Sequence, residues 1–226
     1  ETVRLELMAD YGLPADRVQA VLNGVDPVFR PMAAIDTSAV LRAHGLQHGG
    51  YTLSVATVEP RKKLDRLIAA YARLPESLRQ ACPLVLIGAL GWLNSPVQRL
   101  IEQASAQGWL RFLGYVSQGD LPALYAGARG YAMTSIYEGF GLPVLEAMAS
   151  GVPVLTSSVS CMPEVAAGAA LMAHPDDIDE LSEQLTRLLT DDGWRLRAVP
   201  LGLARAGELT WERCLEQTLQ VYRSVA

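Results

Sequence analysis

The sequence is poor in cysteine and histidine, the residues that build disulfide scaffolds and most transition-metal sites. It has three of each among 226 residues, and none shows the spacing of a metal-ligand set or a C-x-x-C pair. We therefore expect free thiols in a reducing compartment, and neither a metal site nor a metal cofactor. The residues concerned are Cys82, Cys161, Cys214, His44, His48 and His174.

Long apolar runs and an excess of basic charge are also missing. No stretch approaches the ~18 apolar residues of a membrane-spanning helix, and the N terminus has no secretory signal. A net charge of −5 argues against a nucleic-acid partner but not against one local phosphate site. The chain begins at Glu1, without a methionine, and its start looks like mid-domain sequence. We expect a piece of a longer, cytoplasmic protein.

Familiar active-site motifs are absent as well. Gly88 and Gly91 do not complete a G-x-G-x-x-G fingerprint, and we find no P-loop, G-x-S-x-G elbow, H-E-x-x-H or Cys/His nucleophile pair.

The sequence contains enough apolar residues for a large core, because 50% of its residues are hydrophobic. Short apolar runs alternate with segments of helical period from residue 51 onwards. Strands are predicted at residues 51–58, 83–88, 110–116, 131–134, 152–156 and 169–173. Helices are predicted between them, and two apolar stripes mark a helical tail whose side chains we expect in the core. The stripes are Ile178, Leu181, Leu185, Leu188 and Trp211, Leu215, Leu219, Tyr222.

This alternation predicts an α/β fold, a Rossmann-like parallel sheet with helices on both faces and a helical tail. Residues 31–226 would form this domain. Residues 1–30 are interpreted as an N-terminal remnant and linker, with a helix at 3–11 and a short strand at 18–22. In such sheets, ligands bind beyond the carboxyl ends of the strands. The loops 59–63, 88–94 and 135–141 should therefore open on one edge and form one site.

The stretch from Glu138 to Glu146 is the strongest local candidate for a ligand site. Gly139 and Gly141 let the backbone approach a ligand, and Pro143 suits the first residue of a helix whose free amides favour an anion. Glu138 would then lie on the loop and Glu146 in the first turns of the helix. A glutamate in a first turn is also favourable without any ligand. The local pattern alone leaves both interpretations open.

Arg61 and Lys62 follow a predicted strand just before a helix. Two fixed cations there could bind a diphosphate and stabilise charge that develops on it. A solvated basic turn is the other interpretation of the same residues.

Taken in order, these segments resemble the C-terminal, donor-binding domain of the group 1 (family 4) glycosyltransferases of GT-B fold. The resemblance covers the chain from about residue 23 to its end. The matching segments are Asn23-Gly-Val-Asp26, Glu59-Pro-Arg-Lys62, Leu86-Ile-Gly88, Phe112-Leu-Gly-Tyr-Val116, the E-x7-E segment Glu138 to Glu146, Ala149-Ser-Gly-Val-Pro153 and Pro163-Glu-Val165.

The resemblance implies a role for each matching position. Lys62, with Arg61, would hold the donor diphosphate, and Glu138 would face the donor sugar, so that these three form the catalytic set. Glu146 would accept hydrogen bonds from the ribose. The remaining donor-binding positions are the amides of Gly139, Phe140, Gly141 and Leu142, the chain near Val116 beside the base, and the strand end at Gly88.

One position departs from the family pattern. Many members have Gly-Arg five residues before the lysine, where this chain has Ala56-Thr57. The first phosphate-binding arginine is therefore missing, and Arg61 is the candidate to compensate for it.

The function that the resemblance implies is retaining transfer of a sugar, with GDP-mannose as the first candidate donor, to a surface-polysaccharide or lipopolysaccharide acceptor. No metal would be needed. The acceptor-binding N-terminal domain would lie outside this chain, and the full-length protein could associate peripherally with the inner face of a membrane. Two alternatives stay open. One is a non-catalytic nucleotide-binding module. The other is a glycoside hydrolase using Glu138 and Glu146, which is less favoured because neither glutamate needs a raised pKa.

Overall fold

The computed structural model describes residues 1–89 and 95–225, and within them six strands form one parallel sheet. The sheet order is β3-β2-β1-β4-β5-β6. The strands are β1 (Thr52–Val55), β2 (Leu84–Ile87), β3 (Leu110–Gly114), β4 (Gly130–Met133), β5 (Val154–Ser157) and β6 (Leu171–Ala173). The predicted parallel α/β sheet is confirmed.

Helices connect the strands and form the tail. They are α1 (Thr2–Tyr11), α2 (Ala34–Ala43), α3 (Leu64–Ala72), α4 (Glu76–Ala81), α5 (Ser95–Ala106), α6 (Leu121–Ala126), α7 (Leu142–Ala149), α8 (Met162–Ala166), α9 (Ile178–Thr190), α10 (Asp192–Glu208) and α11 (Trp211–Val225). Two short 3₁₀ helices lie at Ala15–Arg17 and Pro60–Lys62.

Both faces of the sheet are buried, as the apolar strand runs require. Along β2, Val85 and Ile87 point into one apolar core, and Leu84 and Leu86 point into the other. The first core is completed by α2, α6, α7 and α8, and the second by α3, α5 and α9. Helices therefore cover both faces, as predicted.

The strand order reverses between β1 and β4. The chain leaves β1 towards β2 and β3, then returns to pair β4 with the other side of β1, where Thr52 lies opposite Gly130. The loops that follow β1 and β4 consequently face each other across this reversal. Ligands of open parallel sheets bind at such a switch point.

Two local predictions were wrong. Residues 18–22 are not part of a ladder, and the nearest pairing is an isolated bridge between Val25 and Thr210. The stripe on α11 is not in the core, because its four side chains are 41–68% exposed. Helical spacing shows that residues share a face, but it does not show what that face meets.

A helix crosses a membrane only if it is long and predominantly apolar. Across residues 1–89 and 95–225, no helix is both long and apolar enough to cross a bilayer.

Candidate functional site

The site is built on the loop between β4 and α7, where Glu138 lies. Gly141, with a φ of 95°, precedes the first residue of α7, and Pro143 occupies the second helical position, one later than predicted. Glu146 follows within the same helix. The predicted arrangement, with one glutamate in the loop and the other in the first turns of the helix, is confirmed.

The Glu138 carboxylate joins the two loops at the switch point. Its Oε1 accepts a hydrogen bond from Lys62 Nζ at 2.5 Å, and its Oε2 accepts one from Arg61 Nη1 at 2.8 Å. Glu138 and Lys62 are buried, whereas the Arg61 side chain is 44% exposed. The structure thus brings the three predicted catalytic residues together into one charge cluster.

Backbone contacts fix the same two loops. The Ile136 N–H donates to the Arg61 carbonyl at 2.9 Å, and Thr134 Oγ1 donates to the carbonyls of Lys62 and Lys63 at 3.1 and 3.2 Å. Lys63 adopts a left-handed conformation, with φ at 50°, which ends the 3₁₀ turn and starts α3. The cations and the carboxylate are therefore carried on segments that support each other.

The cations determine the protonation state of Glu138. Burial by itself would raise the pKa of its carboxyl, but hydrogen bonds and charge from Lys62, together with the Arg61 guanidinium, hold that pKa below its ordinary value. Glu138 is consequently ionised at neutral pH.

The two glycines of the loop have different roles. A Cβ on Gly141 would lie 2.4 Å from Met162 Cε, and the left-handed φ already disfavours a side chain there. A Cβ on Gly139 would meet no protein atom within 4 Å, and Gly139 is exposed. Gly141 is required by the fold, whereas Gly139 keeps space open beside Glu138.

Glu146 lines a cavity of about 310 Å³, and Glu138 is not among the residues of that lining. The lining includes Leu142, Asp26 from the segment before α2 and Gln118 from the loop after β3. Burial raises the pKa of Glu146, the neighbouring Tyr125 lowers it, and the Asp26 charge raises it further. Among the described residues that line the cavity there is no lysine or arginine, so the Glu146 carboxylate is suited to accepting hydrogen bonds from hydroxyl groups.

The remaining predicted positions, Gly88, Val116 and Phe140, are held by contacts within the protein, and their backbone is the part left to contact a ligand. The Gly88 N–H donates to the Gly114 carbonyl at 2.9 Å, and a Cβ on Gly88 would lie 2.0 Å from the Ala56 carbonyl oxygen. Val116 is buried in the first core, and Phe140 packs against that core. Gly88 therefore has a packing role of its own, and residues 90–94 of its loop lie outside the described residues.

Sequence reasoning missed a pair of residues that form hydrogen bonds with the backbone of the Glu138 loop. Ser160 and Cys161, between β5 and α8, form hydrogen bonds with the backbone of Glu138, and Cys161 also bonds the carbonyl of Phe140. Asp26 was seen only as linker. No short-range pattern could have found these residues, because their partners lie far away along the chain.

The chain matches a known protein family and a curated relative. The family described as glycosyl transferases group 1 matches residues 42–200. The O-antigen chain mannosyltransferase B of Escherichia coli is 41% identical over 220 residues, which are 97% of this chain and 58% of that protein.

Solved structures share the fold. Sucrose-phosphate synthase from Thermosynechococcus elongatus superposes with a TM-score of 0.81 at 24% identity, covering 99% of this chain and 56% of that one. Anabaena HepE, solved with UDP and glucose, gives 0.84 at 22%, covering 97% and 60%.

The chain therefore spans less than two thirds of each of these proteins. Its parallel sheet is the C-terminal domain of a GT-B fold. The match to the family over residues 42–200 and the relative that is 41% identical show that the chain belongs to the group 1 glycosyl transferases.

Proposed function

We propose that this chain is the donor-binding half of a retaining glycosyltransferase that moves mannose from GDP-mannose to a surface-polysaccharide or lipopolysaccharide acceptor. The related E. coli protein is named an O-antigen chain mannosyltransferase, which supports mannose as the sugar and a glycan as the acceptor. The reaction would take place in the cytoplasm, at the inner face of the membrane, where the full-length protein associates peripherally.

The observation that carries the proposal is the cluster of Glu138, Arg61 and Lys62 at the strand reversal. Transfer of a sugar from a nucleoside diphosphate leaves negative charge on the departing diphosphate, and cations fixed in advance stabilise that charge without reorganisation. In this proposal Arg61 and Lys62 supply the cations, and no metal is required. The first amides of α7, after Gly141, add partial positive charge on the same side.

The two glutamates then have separate tasks. Glu138, held by both cations, faces the donor sugar, while the amides from Gly139 to Leu142 contact the sugar and phosphates. Glu146 accepts hydrogen bonds from the ribose hydroxyls in the cavity that it shares with Asp26, and the backbone at Val116 borders the base.

The hydrolase alternative is poorly supported, although burial raises the pKa of Glu146, as the general acid of a hydrolase would require. A retaining hydrolase needs a second carboxylate as its nucleophile. Both oxygens of Glu138 are engaged by cations instead. A non-catalytic module of the same fold is distinguished only by an activity assay on the longer polypeptide.

Isothermal titration with GDP, UDP, dTDP and ADP tests the proposal. We expect preference for GDP, weakened about tenfold or more by Lys62→Ala and by Glu146→Gln. Because Glu146→Gln removes a half-buried carboxylate whose pKa is raised by its surroundings, the melting temperature of this variant should stay equal or rise while binding falls. Glu212→Gln, on exposed α11, is the matched control. Equal affinity for all four nucleotides, or no effect of either variant, would contradict the donor assignment.

A further inference from the structure

Two side chains from the segment between β5 and α8 form hydrogen bonds with the backbone of the loop that carries Glu138. The Ser160 hydroxyl accepts a hydrogen bond from the Glu138 N–H at 3.1 Å and donates one to the Glu138 carbonyl at 2.9 Å. The Cys161 thiol donates to the same carbonyl at 3.1 Å and to the Phe140 carbonyl at 3.4 Å. Cys161 is buried. Both backbone groups of Glu138 are therefore bonded to the segment between β5 and α8.

The backbone at Ser160 indicates that its hydroxyl is the reason for a serine there. Ser160 has a φ of 57°, which places it in the left-handed region. Glycine adopts this region without steric cost, whereas other residues are disfavoured. The conformation alone would favour glycine, so the hydrogen bonds of the hydroxyl account for the residue present. Strained backbone of this kind is often found where function requires a fixed geometry.

The side chain and the backbone of Glu138 are thus held by different elements. Arg61 and Lys62, after β1, bind its carboxylate, while Ser160 and Cys161, after β5, bind its main chain. Gly139, next in the chain, faces open space. Holding Glu138 on both sides fixes the direction of the loop amides that border this space.

We propose that Ser160 and Cys161 are positioning residues that keep the Glu138 loop in the conformation that recognises the donor sugar. The inference rests on the proposed function, in which Glu138 and the following amides contact the sugar. The pair touches the loop and not the cations or the Glu146 cavity. Its loss should therefore weaken binding of the sugar part of the donor and leave binding of the nucleotide part unchanged.

Ser160→Gly is the decisive variant, because it removes the hydroxyl and also relieves the left-handed backbone. We expect an equal or higher melting temperature, faster hydrogen exchange at the Glu138 amide, and affinity for GDP-mannose about tenfold lower while affinity for GDP is unchanged. Ser160→Ala should show the same loss of selectivity with a lower melting temperature. Cys161→Ser, which retains a donor, should keep the selectivity that Cys161→Ala reduces.

Ser158→Gly is the matched control, since Ser158 is exposed in the same connection. Unchanged exchange at the Glu138 amide in Ser160→Gly would overturn the fastening itself. Faster exchange with an unchanged ratio of GDP-mannose to GDP affinity would overturn its role in sugar recognition. If the wild-type chain binds neither GDP nor GDP-mannose, the proposed function is overturned, and the role of Ser160 and Cys161 in sugar recognition is overturned with it. The exchange experiment still decides whether these two residues hold the Glu138 loop in place.

Discussion

At the scale of single residues, identical side chains acquire opposite properties from their surroundings. Glu138 and Glu146 belong to one short segment, yet Glu138 has its pKa lowered by two cations and Glu146 has its pKa raised by burial. The difference comes from Lys62 and Arg61, which are distant in sequence from Glu138, and from the burial of Glu146 together with the charge of Asp26. The chemistry of each carboxylate is therefore a property of the folded site.

The lowered pKa of Glu138 predicts a pH-dependent contribution to stability. The ionised carboxylate stabilises the fold at pH values above its ordinary pKa, and this contribution is lost as the pH falls through the lower pKa of the folded state. In urea denaturation, wild type should lose more stability than Glu138→Gln between pH 6 and pH 3. At pH 7 the variant should be less stable by about 1–3 kcal/mol, because buried Lys62 loses its charged partner.

The control for this experiment is Glu59→Gln, since Glu59 also pairs with Arg61 but its side chain is 37% exposed. Its pH profile should follow that of wild type. Parallel profiles for wild type and Glu138→Gln would show that the cluster does not stabilise the ionised carboxylate.

The two loop glycines provide a second prediction at this scale. Gly141→Ala combines a left-handed φ with a clash against Met162 and should lower the free energy of unfolding by about 2–4 kcal/mol. Gly139→Ala should change stability by less than about 0.5 kcal/mol. It should nevertheless weaken GDP-mannose binding, because its methyl group projects into the open space beside Glu138. Thermal melts and titration measure the two effects, and a destabilised Gly139→Ala would refute the assigned difference.

At the scale of elements, two helices with similar apolar stripes differ in how deeply those stripes are buried. On α9, Leu181, Leu185 and Leu188 are completely buried against the sheet and α3. On α11, Leu215 is 59% exposed and Tyr222 is 68% exposed. The period of a stripe identifies a helix, but the position of the helix in the fold decides whether the stripe is buried.

This contrast predicts unequal costs for the same substitution. Leu185→Ala should destabilise the chain by about 2–5 kcal/mol through lost burial and a cavity. Leu215→Ala, on the exposed stripe of α11, should cost less than about 0.5 kcal/mol. Chemical denaturation of both variants tests the assignment. A large loss of stability in Leu215→Ala would mean that its side chain is buried in the protein in solution.

At the scale of the whole molecule, the strand order creates the site. β1 and β4 are separated along the chain by β2, β3 and the helices α3 to α6, yet they are neighbours in the sheet. The loops that follow β1 and β4 meet only because the strand order of the sheet reverses between these two strands. Ligand binding there should couple to the stability of the entire domain, since both loops are anchored in its central strands.

We expect GDP at 100 times its dissociation constant to raise the free energy of unfolding by about 2.7 kcal/mol. We also expect the 226-residue chain to transfer little or no mannose, because it spans 58% of the related mannosyltransferase and the resemblance assigns acceptor binding to the other part. Denaturation with and without GDP, and a transfer assay with GDP-mannose and a glycan acceptor, measure these outcomes. Turnover by this chain alone would contradict the division of tasks.

The sequence by itself determined the fold class and the identity of the central loop. Buried apolar runs alternating with amphipathic helices leave a parallel sheet as the stable arrangement, and the segment Glu138 to Glu146 has glycine and proline where a loop and a helix start need them. These are local properties, governed by residue period and backbone sterics. The order of motifs along the chain then carried the resemblance to one family.

Only the tertiary structure decided how the site is assembled. Pairing of Glu138 with Lys62 and Arg61, its fastening by Ser160 and Cys161, and the placement of Glu146 beside Asp26 all join segments that are far apart in sequence. The exposure of the α11 stripe is decided in the same way. Such contacts depend on strand order and helix docking, which are set by the packing of the whole chain and leave no periodic signal in any short segment.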